Sequence, residues 1–484
     1  MLSARWTHAV AALALAATGL MGGAALAADV SKSEVKRAKE LHVQITQQMG
    51  VYNDTAVQEY VSRIGQKMAS VSDMPGIEWY FTVLDTDDIN AFTTGGGYVY
   101  VSRGLLAYLD SEAELAAVLG HEIGHVTGKH PSRQQTQGTL AGIASAAAAI
   151  LTGQPALGDL TNIAGTAIVR GYGRDMELEA DRIGAQYLAR AGYDPEAMIR
   201  VVTTLKDQDS FEREQARKEN RQPRVYHGVF ATHPDNDSRL KEAIASAGRA
   251  AATAKGDAEN RDEYLKAIDG LAFGSSSRQG MVRDNRFYHA DYQFTVAFPR
   301  GWAVRNSSDE LAAASPAKDS LIVLNAQAPP ADVKTPRDFL NRALGRMPLS
   351  DGRELTINGL PAYTLIARGH PSPFGGTTNV RYVAIYYNNL MWIFRGASRG
   401  TNTAPSADPM FLSAAQTFRR LRDTEFALAE PMRIRVVTAE AGTSIEELAK
   451  TSPIPKFPEQ QLRLINDLYP NTEPKEGQPL KVVR

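Results

Sequence analysis

The segment SEAELAAVLGHEIGHV, from Ser111 to Val126, decides the fold of the region around it. Ser111 is followed three residues later by Glu114, a capping box that predicts the start of a helix. This helix would carry His121 and His125 on one face, because four residues advance the chain by about 400°. Two imidazoles one turn apart can share a metal ion, so the segment predicts a helix with one Zn²⁺ site per chain.

The residue that follows the first histidine carries the chemistry expected of this site. Glu122 would lie beside a metal ion held by His121 and His125, where its carboxylate can take a proton from a water that the metal activates. Such a water can attack a peptide bond. The alternative interpretation is two surface histidines on an amphipathic helix, but the capped start of the helix favours the metal site.

A catalytic zinc site needs a third protein ligand and one open position. His130 is close in sequence, but in a continued helix it would point about 140° away from His125. His130 is therefore expected to be a structural or exposed residue and not a ligand.

A second acidic run supplies a better third ligand. In RDMELEAD, which begins at Arg174, Glu177 and Asp181 share a helix face, whereas Glu179 points elsewhere. One carboxylate can bind zinc while the other accepts a hydrogen bond from a ligand histidine. An acidic, solvated helix face is the alternative, and the residues alone do not decide between the two.

Length and composition narrow the class of protein. The 484 residues suggest two to four domains. Cysteine is absent, which excludes disulfides, thiolate zinc ligands and a catalytic thiol. The 53 basic and 54 acidic residues nearly cancel and no basic run is present, which argues against a nucleic-acid partner.

Residues 1–27 have the pattern of a secretory signal peptide. A short polar start precedes an apolar run from Ala9 to Leu20, and the small-residue triplet ending at Ala27 matches a cleavage site. Cleavage after Ala27 or Ala28 would place the mature chain outside the cytoplasm, in the periplasm if the source has two membranes. An uncleaved membrane anchor is the alternative.

Local patterns predict the elements next to the site. Residues 31–72 have helical spacing, and a helix should run from about Asp175 to Gly192, with the next helix capped by Asp194. The predicted strands are Ile77–Leu84 and Tyr98–Val101, joined by a turn over Asp85–Gly97. Thr139–Thr152 is too short to cross a membrane, which takes about 20 residues, and is expected to be a core helix or a surface-docking segment.

The predicted fold class is α+β and multidomain. Residues 28–255 should form a mainly helical zinc metallopeptidase domain with a small β-sheet, and residues 250–285 have the mixed composition of a domain junction. Residues 286–425 alternate short β-rich runs with helical pieces, which predicts a separate α+β domain. Residues 430–484 should form a small domain of their own.

In combination, these motifs resemble the HtpX and CAAX-prenyl-protease type of zinc metallopeptidase, a gluzincin group, and within it the soluble periplasmic branch of β-barrel assembly-enhancing proteases. The resemblance covers residues 30 to about 250. Besides the histidine motif and the acidic run, the matching stretches are Asn90-Ala91-Phe92, Gly104-Leu105-Leu106, Tyr172–Gly184, Thr232-His233-Pro234 and Arg239.

The resemblance implies specific roles. His121, His125 and Glu177 would be the zinc ligands, Glu122 the base, and Asp181 a proton donor or a residue that orients a ligand. His233 would be a fourth ligand in a latent state or a hydrogen-bond donor to the oxyanion. The two roles of His233 exclude each other at one moment, because a fourth protein ligand blocks the catalytic water.

The resemblance also implies an endopeptidase that cleaves misfolded or unassembled envelope polypeptides. An edge strand near Asn90–Tyr100 would present its main chain to an extended substrate. The branch carries tetratricopeptide repeats that this sequence does not show, so outer-membrane assembly factors are partners by resemblance only.

The C-terminal half supports an alternative function. Residues 286–425 resemble small α+β domains of the PsbP type, and residues 433–483 resemble a LysM module, which implies binding to peptidoglycan. The chain would then be an envelope scaffold or peptidoglycan-binding protein with a latent zinc site. The alternative for residues 433–483 is a small packing domain without glycan affinity. A third possible function of the whole protein is a secreted zinc amidase or other hydrolase.

Overall fold

The helix that carries the HEIGH motif packs between a small β-sheet and several other helices. The computed structural model describes residues 30–135, 172–219, 236–251, 256–306, 310–372, 374, 376–399 and 407–484. The N-terminal elements, in chain order, are α1 (Lys32–Met49), α2 (Thr55–Ser70), β1 (Tyr80–Leu84), β2 (Ala91–Gly95), β3 (Tyr98–Ser102), α3 (Arg103–Tyr108), α4 (Glu112–Thr127), α5 (His130–Gln135), α6 (Arg174–Ala191), α7 (Ala197–Lys218), α8 (Asn236–Ala251) and α9 (Arg261–Ile268).

Both helices that carry candidate site residues begin and end close to the predicted positions. The Ser111 hydroxyl accepts a hydrogen bond from the Glu114 main-chain N–H at 3.1 Å, which caps α4 as predicted. The Glu114 carboxylate accepts a hydrogen bond from the Asp110 N–H at 2.7 Å. At the end of α6, Gly192 adopts the left-handed conformation with φ 79°, as the sequence pattern indicates.

The small sheet differs from the prediction in one strand. Its order is β1-β3-β2, with β1 parallel and β2 antiparallel to β3. The turn predicted over Asp85–Gly97 is wrong in its second half, because Ala91–Gly95 forms β2. The glycine turn therefore joins β2 to β3. A Cβ on Gly97 would lie 2.1 Å from a main-chain oxygen, so this tight turn requires glycine. β2 becomes an edge strand of the sheet.

The helix after α6 starts later than predicted. α7 begins at Ala197 with Glu196 as its N-cap, and Asp194 and Pro195 lie in the preceding turn. The Asp194 carboxylate accepts a hydrogen bond from the Glu196 N–H at 2.9 Å, so it stabilises that turn instead of capping the helix. The predicted signal peptide and the segment Thr139–Thr152 lie outside the described residues.

The middle of the chain is built mainly of strands. The β-rich runs expected from the sequence are confirmed, because strands form over Phe294–Ala297, Ser320–Gln327 and Thr377–Tyr387. The elements are β4 (Ala272–Phe273), β5 (Met281–Arg283), β6 (Arg286–His289), β7 (Phe294–Ala297), β8 (Ala303–Asn306), β9 (Leu311–Ala314), β10 (Ser320–Gln327), α10 (Pro336–Leu344), β11 (Leu349–Ile357), β12 (Leu360–Pro371), β13 (Thr377–Tyr387), β14 (Leu390–Ser398), α11 (Asp408–Gln416), β15 (Arg419–Arg420), the 3₁₀ turn Asp423–Glu425 and α12 (Phe426–Ala429).

Two antiparallel sheets organise this middle part. The larger has the order β11-β12-β13-β14-β10-β9-β8 and the smaller β15-β7-β6-β5. Apolar side chains cover both faces of the larger sheet and form two separate hydrophobic clusters. The predicted α+β fold class is confirmed, with a β-rich region after the helical one.

The C-terminal segment has a β-α-α-β order. Its elements are β16 (Met432–Thr438), α13 (Ile445–Lys450), α14 (Pro458–Ile465) and β17 (Pro479–Val483), and β16 pairs with β17 on one side and with β4 on the other. Apolar residues of this segment, of α9 and of β4 belong to the same hydrophobic cluster as those of the N-terminal helices. The stretch 256–285, expected to be a junction, thus contributes α9 and β4 to a shared core.

A buried lysine joins the C-terminal segment to the start of α4. Lys481 is fully buried, and its ammonium group donates a hydrogen bond to the Leu109 carbonyl at 2.6 Å and lies 3.1 Å from Asp110 Oδ1. Burial alone would raise the pKa of Asp110, but Lys481 and Arg261 outweigh it and lower the pKa. This ion pair precedes the N-cap of the helix that carries the histidines.

A helix that crosses a lipid bilayer must be both long and apolar. None of the helices within the described ranges combines the length and the apolar character needed to span a bilayer.

We predict that Lys481→Met destabilises the shared core. The substitution removes the buried donor to the Leu109 carbonyl and one of the cations that contact Asp110, which keeps Arg261, and breaking a buried pair in this way costs about 3 kcal/mol of unfolding free energy. Urea denaturation followed by tryptophan fluorescence measures the change. Lys450→Met is the control, because Lys450 is exposed and pairs with Glu447 at the surface. Equal midpoints for the two variants would contradict a structural role for Lys481.

Candidate metal centre

Helices α4 and α6 approach each other closely because glycines line their contact. A Cβ added to Gly124 would lie 3.2 Å from a main-chain oxygen of α6, and one added to Gly184 would lie 3.0 Å from a main-chain nitrogen of α4. Larger side chains would push the helices apart. The contact brings Glu177 and Asp181 next to the histidine face of α4.

Three side chains converge on one point. His121 Nε2 and His125 Nε2 are 2.9 Å apart, and the Glu177 oxygens lie 3.5 Å from the former and 3.6 Å from the latter. His125 and Glu177 are fully buried, and His121 is 5% exposed. Within the part of the chain that the structure describes, these three form the group whose donor atoms are close enough to hold a metal ion.

The donor set fits zinc. Tetrahedral coordination with bonds of about 2.1 Å separates ligand atoms by about 3.4 Å, close to both histidine–carboxylate distances. The Nδ1 atoms of His121 and His125 contact other side chains, which leaves both Nε2 atoms directed at each other. In their neutral forms the two imidazole Nε2 lone pairs would repel each other and the buried Glu177 carboxylate, and either a proton on His121 or a divalent cation between the three groups would remove this repulsion.

Asp181 lies behind His121. Its Oδ1 is 2.8 Å from His121 Nδ1, and Arg239 donates hydrogen bonds to both Asp181 oxygens at 2.9 and 2.7 Å. Burial alone would raise the pKa of Asp181, but Arg239 and His121 outweigh it and hold the pKa well below its usual range. Burial alone would lower the pKa of His121, but Asp181 and Glu177 raise it to about 9, so metal binding at neutral pH releases a proton.

His130 is not one of the three donors, but it is buried and contacts one of them. The helix ends at Thr127, so the expectation of a continued helix does not apply. His130 Nδ1 lies 2.7 Å from His125 Nδ1, and its Nε2 lies 3.2 Å from Glu179. Glu179, which faces away from the donors as expected, therefore contacts the site through His130.

Glu122 and Tyr172 complete the described surroundings. The Glu122 side chain is buried, with 2% exposure. The Tyr172 ring stacks on His125, with centroids 4.0 Å apart and an angle of 21°. Burial and the carboxylates of Glu122 and Glu177 raise the pKa of Tyr172 well above its usual value, so its hydroxyl keeps its proton. From the sequence, Tyr172 is a weaker candidate than His233 for donating a hydrogen bond to the oxyanion.

Sequence reasoning did not assign a role to two of these residues. Arg239 was singled out only as part of a matching stretch, and its pairing with Asp181 spans 58 positions. His130 was set aside because its position depends on where α4 ends. His233, expected to be a fourth ligand or oxyanion donor, lies outside the described residues.

A histidine pair on one helix and a glutamate on a second helix define the gluzincin class of metal site. A comparison with protein families agrees, because the model of Peptidase family M48 matches residues 55–247. The chain carries a peptidase family M48 domain. The family-level resemblance predicted from the sequence is thereby confirmed.

Individual relatives match the same region. The chain is 32% identical over 241 residues to the beta-barrel assembly-enhancing protease of Escherichia coli (strain K12), an alignment covering 48% of this chain and 47% of that protein. It is 33% identical over 156 residues to the mitochondrial metalloendopeptidase OMA1 of Arabidopsis thaliana, covering 32% and 31%. The chain thus spans about half the length of the first relatives it matches.

Among solved structures, part of the chain is similar to the solution structure of cyanobacterial PsbP from Synechocystis sp. PCC 6803. Sequence identity is 14%, the TM-score is 0.22, and the match covers 29% of this chain and 95% of that one. These values support no conclusion about the middle region.

We predict that removing the metal lowers the thermal stability of the chain. A bound metal stabilises the folded state by about 2.7 kcal/mol when its free concentration is 100 times Kd, and a chelator abolishes this contribution. Differential scanning calorimetry with zinc and with EDTA measures the effect. Glu177→Gln is the matched variant, because it keeps the shape of the side chain and removes the charge; its melting temperature should respond far less to zinc. Equal responses in the two proteins would contradict the assignment of Glu177.

Proposed function

We propose that the chain is a zinc-dependent endopeptidase that hydrolyses peptide bonds of misfolded or unassembled envelope proteins. The observation that carries the proposal is the convergence of His121, His125 and Glu177 in a buried space beside Glu122. A site that served structure alone would need no carboxylate in the position of Glu122. The M48 domain and the protease names of the relatives support the same activity.

Each residue of the site has a distinct task in this mechanism. Zinc, when bound, polarises the substrate carbonyl and lowers the pKa of water. Glu122 accepts the proton of the attacking water and passes it to the leaving amine. The Tyr172 hydroxyl retains its proton next to Glu122 and Glu177, so it is a candidate hydrogen-bond donor to the substrate.

Asp181 acts in this proposal by orienting His121. The resemblance allows either a proton donor or an orienting residue. A carboxyl group whose pKa is held well below its usual range by Arg239 is ionised at neutral pH and has no proton to donate. Its contact with His121 Nδ1 instead keeps the other ring nitrogen directed at the metal.

The substrate is proposed to bind in an extended conformation along β2. β2 is one of the two edge strands of its sheet and packs against α4, the helix that carries the proposed catalytic residue Glu122. Main-chain groups on the outer side of an edge strand can pair with an added strand, and such pairing is independent of sequence. This suits an enzyme that acts on many unfolded chains.

The remaining expectations, from the sequence patterns or from the resemblance, stay proposals. They include export by a cleaved signal peptide to the periplasm, contact with outer-membrane assembly factors, and the domain boundaries at 28–255, 286–425 and 430–484. A role for His233 and glycan binding by the C-terminal segment also stay predictions. The alternative function, a scaffold with a latent zinc site, keeps the same fold but predicts no cleavage.

We predict that Glu122→Gln abolishes cleavage while metal binding persists. The glutamine keeps the size of the side chain but cannot accept the proton, so kcat/KM for casein should fall by about 10²- to 10⁴-fold. Metal analysis of the purified variant should still give one zinc per chain.

Glu354→Gln is the charge-matched control, because the Glu354 side chain lies in β11 of the larger sheet and is 75% exposed. It should cleave casein at the wild-type rate. Cleavage by Glu122→Gln at the rate of this control would overturn the mechanism, and absence of cleavage by the wild-type chain under all conditions would favour the scaffold.

A further inference from the structure

A chain of contacts leads from His125 Nδ1, on the side of the ring that faces away from His121 and Glu177, to the protein surface. His125 Nδ1 lies 2.7 Å from His130 Nδ1, and His130 Nε2 lies 3.2 Å from Glu179 Oε2. Arg133 donates a hydrogen bond to the same Glu179 oxygen at 2.8 Å. Both histidines are fully buried, whereas the Glu179 side chain is 32% exposed.

The local sequence places His130 under His125 by ending α4 abruptly. Lys129 has φ 55°, a left-handed conformation that turns the chain back after Thr127, and α5 begins at His130. A Cβ on Gly128 would lie 2.7 Å from His130 Nε2, so the turn leaves no room for a side chain beside the ring. His130 is thereby held against the last turn of α4.

Only one arrangement of protons satisfies all of these contacts with neutral rings. If His125 presents the Nε2 lone pair to a metal, its proton is on Nδ1 and is donated to His130 Nδ1. His130 then carries its own proton on Nε2 and donates it to the Glu179 carboxylate. Arg133 balances the charge of that carboxylate.

We propose that His130 is a positioning residue that fixes the tautomer and orientation of the ligand His125, with Glu179 as the anchor of the relay. The proposal rests on the function proposed above. In this proposal His130 supports His125 at Nδ1, as Asp181 supports His121 at Nδ1. The two supports differ in kind, because His121 faces a carboxylate directly whereas His125 reaches one only through a second imidazole.

The difference has a physical reason. A carboxylate in direct contact with His125 Nδ1 would add a further buried charge to a site that already contains Glu177 and Asp181, both fully buried. Burying another unpaired charge is costly. The His130 ring lies between His125 and Glu179, so Glu179 can fix the orientation of His125 while its own carboxylate stays partly exposed to solvent.

The test is the affinity of the metal-free full chain for zinc, measured by competition with a chromogenic chelator. His130→Leu removes the acceptor for the His125 N–H, and loss of such a support typically costs about 10- to 100-fold in metal affinity. His130→Asn restores an acceptor near the Nδ1 position and should recover much of that loss. The visible spectrum of the Co²⁺-loaded chain should be perturbed in the leucine variant and closer to wild type in the asparagine variant.

The matched control is His289→Leu. His289 is a buried histidine, 6% exposed, in β6 of the smaller sheet, and it is remote in sequence from the site. It should bind zinc with wild-type affinity. Equal affinities of His130→Leu and wild type, or equal losses for the leucine and asparagine variants, would overturn the proposal, since the latter result indicates a packing role only.

Glu179→Gln keeps the test decisive if His130→Leu does not fold. It should weaken zinc binding less than the loss of the ring does, and wild-type affinity in this variant would overturn the relay. These results are distinguishable from a failure of the proposed function, in which the wild-type chain binds no zinc or Glu122→Gln cleaves casein normally.

Discussion

The close contact of α4 and α6 is the constraint on which the site depends. The two helices carry different parts of the site, and neither can bind a metal alone. Glycines at positions 124 and 184 let the backbones approach within contact distance of each other. The histidine pair of α4 and the acidic turn of α6 then share one buried space, so the spacing of small residues is as much a determinant of the site as the ligands are.

A buried group of charges must be compensated, and the structure shows how. Glu177 and Asp181 both contact His121 and Arg239, and these two carboxylates and Glu122 have almost no solvent access. Arg239 neutralises Asp181 through two hydrogen bonds. Burial alone would lower the pKa of Arg239, but the surrounding carboxylates outweigh burial and raise this pKa. A divalent cation between the histidines and Glu177 would supply the remaining compensation. Metal binding would then be linked to folding through one set of charges.

The sequence predicted the parts of the site that depend on local regularity. The cap at Ser111, the spacing of the two histidines and the four-residue separation of Glu177 and Asp181 all follow from helical geometry. It could not predict His130, whose position depends on the left-handed turn at Lys129, or the Arg239 pair, which depends on tertiary packing. The local pattern assigned β2 to a turn because its glycine-rich end resembles a loop, although an edge strand was expected near Asn90–Tyr100. The docking of the C-terminal segment onto the start of α4 depends on tertiary contacts, among them the shared hydrophobic cluster and the buried Lys481, and has no local signal.

The most direct measurement of the central claim is an anomalous diffraction map at the zinc absorption edge, from crystals of the full chain grown with zinc. The account predicts a peak within about 2.0–2.2 Å of His121 Nε2, His125 Nε2 and a Glu177 oxygen, with one coordination position left to solvent or substrate. A peak bound elsewhere, or no peak between α4 and α6 at full zinc occupancy, would contradict it.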